Sequence, residues 1–237
     1  MTREKLKDDQ YFKEYLAYEK ERILKFEKAI EQVISERGED DAVKATYIAV
    51  QGFYFNTITA LYSSGAPLEE IKAVFPKVIN SMKKCWNSDG AYVEMLWMIS
   101  IGITLDTPKE QMEELKALIV KDGLKDFLID TLIHSFDNEW EVTTHEFSNP
   151  VPYQDLKVVL ETNQNEVALD ALKTYLDSKW YAGHDDMGWY DSHILQEDTY
   201  SGYWSFESAA LVKIKKLDDS RLSENLYYPY DLAHFAD

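Results

Sequence analysis

The sequence predicts an all-α fold, a two-part helical bundle with an irregular, aromatic-rich C-terminal segment. Apolar residues recur at steps of three and four over most of the 237 residues, which is the spacing of one helical face. No series of β-branched segments alternates with these helical segments, so an α/β class is disfavoured. A hydrophobic content of 45% excludes a disordered chain and is enough for a sizeable core.

The first two helices have the clearest pattern. A helix is predicted from Asp8 to Glu36, because its apolar residues fall on one face with a single gap of seven. Gly38 is a stop signal for it. A second helix is predicted from Asp41 to Ser63, where many aromatic residues indicate burial on more than one face. Gly65-Ala66-Pro67 ends this helix.

The third and fourth helices are predicted from Leu68 to Trp86 and from Tyr92 to Ile103. Pro76 lies inside the third helix and lacks the N–H group that a helix interior uses, so a kink or a split is expected there. Asp89-Gly90 forms the turn between the two helices.

A fifth helix is predicted from Pro108 to Val120, and its first residues have the pattern of a capping box. Thr107 is the expected N-cap, and Glu110 is expected at the N3 position. Proline at the first helical position fits this reading, since its missing N–H has no partner there in any case.

The remaining elements are shorter. Asp122-Gly123 breaks the chain, and residues 137–152 contain two prolines and no clear period, which indicates a loop. Further helices are predicted at Leu124–Phe136, Tyr153–Glu161, Gln164–Trp180 and Tyr203–Lys216, with an irregular segment from Tyr181 to Asp198.

Negative charge is concentrated in one stretch of the chain. The net charge is −18, and residues 122–198 contain 17 acidic and 4 basic side chains. Together with the Asp122-Gly123 break, this predicts an N-terminal helical domain of residues 1–121 and a C-terminal acidic helical domain of residues 122–237. Such a field opposes direct binding of nucleic acid and attracts a basic protein partner.

The sequence also indicates the cellular compartment of the protein. No apolar run is long enough for a membrane span, and the N-terminus lacks the apolar stretch of a secretory signal. Cys85 is the single cysteine, so no intramolecular disulfide is possible and a reducing compartment is expected. We therefore expect a cytoplasmic protein with no membrane partner and with Cys85 as a core thiol. Homo-oligomerisation is left open.

Residues 181–198 contain several possible metal ligands, yet no pair has a strong signature such as H-E-x-x-H. Among 43 acidic residues, close carboxylate pairs such as Asp218-Asp219 arise by chance, and this pair is expected to form a turn. We therefore expect no catalytic residues, no metal and no cofactor. A metal-dependent hydrolase using the His184–Asp198 segment, or a helical adaptor protein, is the alternative.

Aromatic residues form adjacent pairs in the second half of the chain. Neighbouring side chains point in different directions, so one ring can pack inward while the other faces outward. The pairs are Trp180-Tyr181, Trp189-Tyr190, Tyr203-Trp204 and Tyr227-Tyr228.

Two residues near these pairs have structural roles in the prediction. Glu207 follows an aromatic stretch and would be costly to bury unpaired, so we expect it to anchor a hydrogen-bond network. Pro229 presets its own torsion and is expected to fix an extended path from Tyr228 to Leu232.

The aromatic pairs, Glu207 and the stretch from Tyr228 to Leu232 follow one another along the chain as in the C-terminal domain of the PoNi immunity proteins, which they resemble. The PoNi proteins neutralise PoNe-type DNase toxins in contact-dependent competition between bacteria. The opening Leu6 to Phe12 resembles the start of the companion N-terminal domain. The signature residues are Trp180, Trp189, Tyr203, Trp204, Glu207, Tyr228, Pro229 and Asp231.

The resemblance implies an all-α, non-catalytic protein kept in the cytoplasm of the toxin producer and bound to its cognate PoNe-type DNase. The signature residues are expected to be mostly scaffold. Because a nuclease presents Lys and Arg to DNA, an acidic surface can cover its catalytic face. We expect that surface to include Asp137, Glu139, Glu141, Asp185, Asp186, Asp191, Glu197 and Asp198.

Overall fold

The computed structural model describes residues 2–235, which contain α-helices and short 3₁₀ turns and no β-strand. The prediction of an all-α fold is confirmed. The helices are α1 (Asp9–Arg37), α2 (Asp41–Ser64), α3 (Leu68–Cys85), α4 (Ser88–Thr104), α5 (Lys109–Asp122), α6 (Phe127–Phe136), α7 (Pro150–Tyr153), α8 (Lys157–Glu161), α9 (Asn165–Ser178), α10 (Phe206–Lys215) and α11 (Tyr230–Ala233).

The chain divides into two compact units. Unit 1 comprises Met1–Ala91 and Asp191–Gly202, and unit 2 comprises Tyr92–Tyr190 and Tyr203–Asp237. Unit 2 has 25 acidic and 11 basic side chains, whereas unit 1 has 18 and 14. The acidic excess therefore belongs mostly to unit 2. The division of the sequence at residue 121 into two domains stays a prediction.

Unit 1 is built on the long helices α1, α2 and α3, whose predicted positions are confirmed. Asp8 caps α1 by accepting a hydrogen bond from the Tyr11 N–H at 2.9 Å, and Asp40 caps α2 through the Val43 N–H at 2.9 Å. Gly65 ends α2 in the left-handed conformation, with φ of 78°.

Pro76 lies within α3 but does not divide it, because α3 runs unbroken from Leu68 to Cys85. The side chains of Phe75 and Val78, on either side of Pro76, are fully buried. Their burial in the core offsets the hydrogen bond that proline cannot donate.

The capping box predicted at Thr107 is wrong. Helix α5 begins at Lys109, and its N-cap is Pro108, which makes no side-chain cap. The Thr107 N–H instead donates to the Gly102 carbonyl at 3.0 Å. Thr107 therefore closes the end of α4 rather than the start of α5.

In unit 2, the start of a helix and a predicted extended path also differ from the structure. Helix α6 begins at Phe127 and not at Leu124, since Asp126 caps it by accepting from the Ile129 N–H at 2.9 Å. The extended path predicted after Pro229 is wrong, because the Pro229 carbonyl accepts from the Leu232 N–H at 3.1 Å and closes the helical turn α11.

Cys85 is buried, as predicted for a core thiol, and burial raises the pKa of the thiol to about 11. Within residues 2–235, no helix combines the length and the apolar character that crossing a membrane requires.

Candidate functional site

Two buried aspartates, Asp126 at the N-cap of α6 and Asp130 within it, fix the loop that follows this helix. This loop, residues 137–149, is here called the acidic loop. Asp126 Oδ2 accepts hydrogen bonds from the backbone N–H and the hydroxyl of Ser148, at 2.8 and 3.1 Å. Asp130 Oδ2 accepts from the backbone N–H and the hydroxyl of Thr143, at 3.0 and 3.1 Å. The path of the acidic loop is therefore set by buried carboxylates.

Both anchors have further partners. Asp130 Oδ1 accepts from the Trp140 indole N–H at 3.0 Å, which attaches the first part of the acidic loop. Burial raises the pKa of Asp126 above its ordinary value, and hydrogen bonds from Ile129 and Ser148 oppose this shift.

Three predicted contact residues lie on the acidic loop. Glu139 and Glu141 are exposed. Asp137 differs, because its Oδ2 lies 2.6 Å from the Lys116 Nζ. The hydrogen bond from Lys116 holds the pKa of Asp137 below its ordinary value. Lys116 thus partly neutralises the charge of Asp137, while Glu139 and Glu141 present theirs to solvent.

Asp185 and Asp186 are exposed, and they follow a histidine that points into unit 2. The His184 Nδ1 lies 2.6 Å from the Trp180 carbonyl oxygen, so Nδ1 carries the proton. His184 Nε2 therefore accepts from the Tyr153 hydroxyl at 2.9 Å. Burial lowers the pKa of His184 to about 4, and the imidazole is neutral at pH 7.

The hydrogen bonds of His184 disfavour the alternative of a metal site in the His184–Asp198 segment. Both ring nitrogens of His184 are engaged inside unit 2. In the part of the chain that the structure describes, no group of three or more His, Cys, Asp or Glu side chains is arranged to hold a metal ion.

A stack of aromatic rings occupies the interior of unit 2. The Trp180 and Trp189 rings lie 5.7 Å apart between centroids, with an angle of 20° between their planes. Tyr181 stacks on Tyr227 at 5.3 Å and on Tyr190 at 4.5 Å. Trp180 is fully buried, whereas the other four side chains are half-buried. The stack therefore extends from the fully buried Trp180 to partly exposed rings.

The inward and outward arrangement predicted for adjacent rings is found in two pairs. Trp180 and Tyr228 are buried while their neighbours Tyr181 and Tyr227 are half-buried. In the pair Tyr203-Trp204 both rings are buried.

Glu207 is fully buried in the first turn of α10. Its Oε1 accepts hydrogen bonds from the Tyr175 hydroxyl at 2.9 Å and from the Ser205 hydroxyl at 2.7 Å. Burial raises the pKa of Glu207, and hydrogen bonds from Ser205 and Tyr175 oppose the shift. Glu207 thus connects α9 with the start of α10, which is a structural role.

Asp219 has a similar role near the C-terminus. It is buried, and its Oδ2 accepts from the Tyr228 hydroxyl at 2.5 Å. The His234 Nε2 lies 3.0 and 3.1 Å from its two carboxylate oxygens. Of the predicted signature residues, Asp231 is exposed, Trp189 is half-buried, and the others are buried.

The other predicted contact residues, Asp191, Glu197 and Asp198, belong to unit 1. Their segment is fixed at its C-terminal end, because the Tyr11 hydroxyl donates to the Tyr200 carbonyl at 2.8 Å and accepts from the Tyr200 N–H at 3.0 Å. Asp191 begins the segment in the left-handed conformation, with φ of 53°.

A groove of about 540 Å³ lies between α1 and this segment, and is here called the α1 groove. Glu197 and Asp198 line the groove and are exposed, and their role as contact residues stays a prediction. The prediction missed Glu14 and Tyr18, although both lie near the gap of seven in the apolar spacing of α1. The groove is lined by Tyr11, Glu14, Tyr15, Tyr18, Arg22, Glu197, Asp198 and Thr199.

Comparison with known proteins finds one similarity in structure and another in sequence family. The crystal structure of protein PA2201 from Pseudomonas aeruginosa is similar with a TM-score of 0.60 and 17% sequence identity, covering 93% of this chain and 88% of that chain. This similarity shows the same fold. No curated protein matches the chain.

The family comparison is more specific. The family described as "PoNe immunity protein (PoNi), N-terminal" matches residues 3–117. The family described as "PoNe immunity proteins (PoNi), C-terminal" matches residues 124–232. Because the two matches together span nearly the whole chain, with the N-terminal family preceding the C-terminal one, this chain belongs to the PoNi family of PoNe immunity proteins.

Proposed function

We propose that the chain binds and inhibits a cognate PoNe-type DNase toxin by covering the basic face with which the toxin binds DNA. The observation that carries this proposal is the match of both PoNi families over residues 3–232. Inhibition in this proposal needs only the complex, so the immunity protein contributes no catalysis, cofactor or direct contact with nucleic acid. The complex forms in the cytoplasm of the toxin-producing cell.

The charge of unit 2 supports a basic partner. This unit has 25 acidic and 11 basic side chains. A DNA-binding face must contain Lys and Arg, because affinity for a phosphate backbone comes from cations that displace counterions. The two surfaces attract each other at long range, which raises the association rate and makes it depend on salt.

The acidic loop supports rapid recognition without reordering. Glu139 and Glu141 are exposed on a loop whose path Asp126 and Asp130 already fix. A preformed loop loses little conformational entropy when it binds. Asp137 is expected to contribute less, since it is paired with Lys116.

The aromatic stack supplies the other part of a protein interface. Tyr181, Tyr190 and Tyr227 are half-buried, and the Tyr181 ring stacks on each of the other two, which restricts their side-chain motion. Aromatic residues dominate the binding energy of many interfaces, whereas exposed charges mainly steer the encounter. We expect these rings to slow dissociation, with Asp185 and Asp186 lying between Tyr181 and Tyr190 in the sequence.

Co-expression with the nuclease encoded beside the gene tests the proposal. Cells that produce the nuclease should survive only when the immunity protein is present, and the purified protein should stop DNA cleavage at equal concentration. A noncognate PoNe-type nuclease is the control. Cell death despite abundant folded protein, with no complex in size-exclusion chromatography, would show that the proposal is wrong.

A further inference from the structure

The α1 groove of unit 1 contains uncompensated negative charge. Glu14, Glu197 and Asp198 are exposed, and within residues 2–235 none of them forms an ion pair with a lysine or arginine. The Glu14 Oε1 accepts a hydrogen bond from the neutral Gln10 amide at 2.5 Å, which leaves the charge of this carboxylate in place.

Arg22 is the cation at the groove, and its charge is already balanced. Its Nη1 lies 3.2 Å from Oε1 of the buried Glu19. The guanidinium carbon lies 3.7 Å from the centre of the Phe53 ring and 5.1 Å from the centre of the Tyr18 ring. The Arg22 contact shows that a guanidinium can pack against the Tyr18 ring. Because Glu19 balances Arg22, the carboxylates of Glu14, Glu197 and Asp198 leave the groove with a net negative charge.

The exposed side chains around the groove have the composition of a protein interface. Tyr18 is 55% exposed, and Ile194 and Leu195, which precede the groove residues of the segment, are 69% and 50% exposed. Large apolar side chains next to charged ones are typical of surfaces that bind another protein. The hydrogen bonds between Tyr11 and Tyr200 fix one wall, so the groove exists before a partner arrives.

We propose that the α1 groove is a docking site for an arginine-bearing segment of the toxin. The incoming guanidinium stacks on the exposed part of the Tyr18 ring and pairs with Glu197 or Asp198, with Glu14 adding to the negative field. Arginine suits the site better than lysine, because its planar group can stack on a ring and bind a carboxylate at the same time. The identity of the partner rests on the proposed function.

A matched pair of charge variants tests the docking site. The groove variant combines Glu14→Gln, Glu197→Gln and Asp198→Asn. The control variant combines Glu31→Gln, Glu69→Gln and Glu70→Gln, which are exposed in unit 1 and do not line the groove. Both variants lose the same charge, so general electrostatic attraction weakens equally in the two.

Binding to a catalytically inactive cognate nuclease is measured by titration calorimetry for variants with unchanged melting temperatures. The groove variant should raise Kd by about ten-fold or more, and the control by less than about two-fold. Equal weakening in the two variants, or no weakening in either, overturns the proposal. If the groove variant does not fold, Asp198→Asn alone replaces it and Glu69→Gln alone becomes its control, with the same criteria.

The ring is tested separately from the charges. Tyr18→Ala removes the stacking surface and should raise Kd by about ten-fold, whereas Tyr18→Phe keeps the ring and should change Kd by less than about two-fold. Equal affinities of Tyr18→Ala and the wild type would contradict stacking on this residue.

A peptide titration separates failure of the docking site from failure of the proposed function. Hexa-arginine is added to ¹⁵N-labelled protein, and the backbone signals of Tyr18, Glu197 and Thr199 should shift in the wild type and not in the groove variant. Shifts spread over all acidic segments overturn the docking site even if the nuclease binds. Localised shifts without any binding of the nuclease support the groove and show that the proposed function is wrong.

Discussion

The Tyr175 hydroxyl donates a hydrogen bond of 2.9 Å to Glu207 Oε1, and both side chains are fully buried. The same oxygen accepts from Ser205, whose hydroxyl also lies 2.6 Å from that of Ser208. This network fixes the start of α10 against α9. The acidic residues of the chain thus have two different roles, with buried carboxylates holding the fold together and exposed ones available to a partner.

Removal of the buried carboxyl should destabilise the protein. Glu207→Ala leaves the hydroxyls of Tyr175 and Ser205 without their acceptor and opens a cavity, so we expect a loss of about 3 kcal/mol in the free energy of unfolding. Glu207→Gln keeps an acceptor oxygen and should cost about 1 kcal/mol. Urea denaturation measures both values. Equal stability of the Ala and Gln variants would contradict the role of the network.

His184 should make the protein less stable as the pH falls. The pKa of the imidazole is lowered from 6.5 in the unfolded chain to about 4 in the fold, so unfolding takes up a proton between these values. The contribution of this group is fully present above pH 6.5 and is lost as the pH falls towards about 4.

The comparison with His184→Gln isolates this contribution, because other titrating groups are shared. Between about pH 7 and pH 5, the wild type should lose about 2 kcal/mol more stability than the variant. Denaturant unfolding at each pH provides the measurement. Parallel curves for the two proteins would show that His184 is not buried in its neutral form.

Gly183 and Gly188 form a matched pair for testing the packing of unit 2. A Cβ atom on Gly183 would lie 2.6 Å from the Cβ of Pro152, whereas one on Gly188 would meet nothing within 4 Å. Gly183→Ala should therefore cost about 2 kcal/mol in the free energy of unfolding, and Gly188→Ala less than about 0.5 kcal/mol. Thermal and urea unfolding measure the difference. A similar cost at both positions would contradict the contact with Pro152.

The acidic loop should become mobile when its anchor is removed. Asp130→Ala leaves the Thr143 N–H and the Trp140 indole N–H without their acceptor. Amide hydrogen exchange at Thr143 should accelerate by about ten-fold or more, and toxin affinity should fall with it. Asp155→Ala, at an exposed position in the same unit, is the control. Unchanged exchange at Thr143 would mean that other contacts fix the loop.

The sequence was sufficient to locate most of the long helices, because their signals are local. The apolar spacing predicted α1, the aromatic pattern predicted α2, and Gly65 predicted the end of α2. The structure has both helices at these positions, with Asp8 and Asp40 as their caps. Thr107 shows where local signals are insufficient, since this residue could belong to the start of α5 or to the end of α4. Only the hydrogen bond to Gly102 decides between them.

The candidate sites depend on contacts between distant segments, which no local pattern contains. Glu197 and Asp198 could be chosen for their charge, but their position beside Tyr18 results from the bond between Tyr11 and Tyr200. Likewise, Asp137 and Glu139 are both acidic residues of the same stretch, and only the structure shows that Asp137 is paired with Lys116. The sequence therefore predicted which segments are acidic, but not which of their carboxylates are left unpaired for a partner.

Affinity for the cognate nuclease at several salt concentrations tests whether exposed carboxylates create the interface. The wild type should bind tightly at about 50 mM NaCl and lose affinity steeply towards about 300 mM. Lysine at Asp185, Asp186, Glu197 and Asp198 should weaken binding by about a hundred-fold and flatten the salt dependence. The same change at Glu31, Glu69, Glu70 and Asp155 should weaken it less. Unchanged affinity and salt dependence in a stably folded protein with the first four substitutions would contradict an acidic surface that covers the toxin.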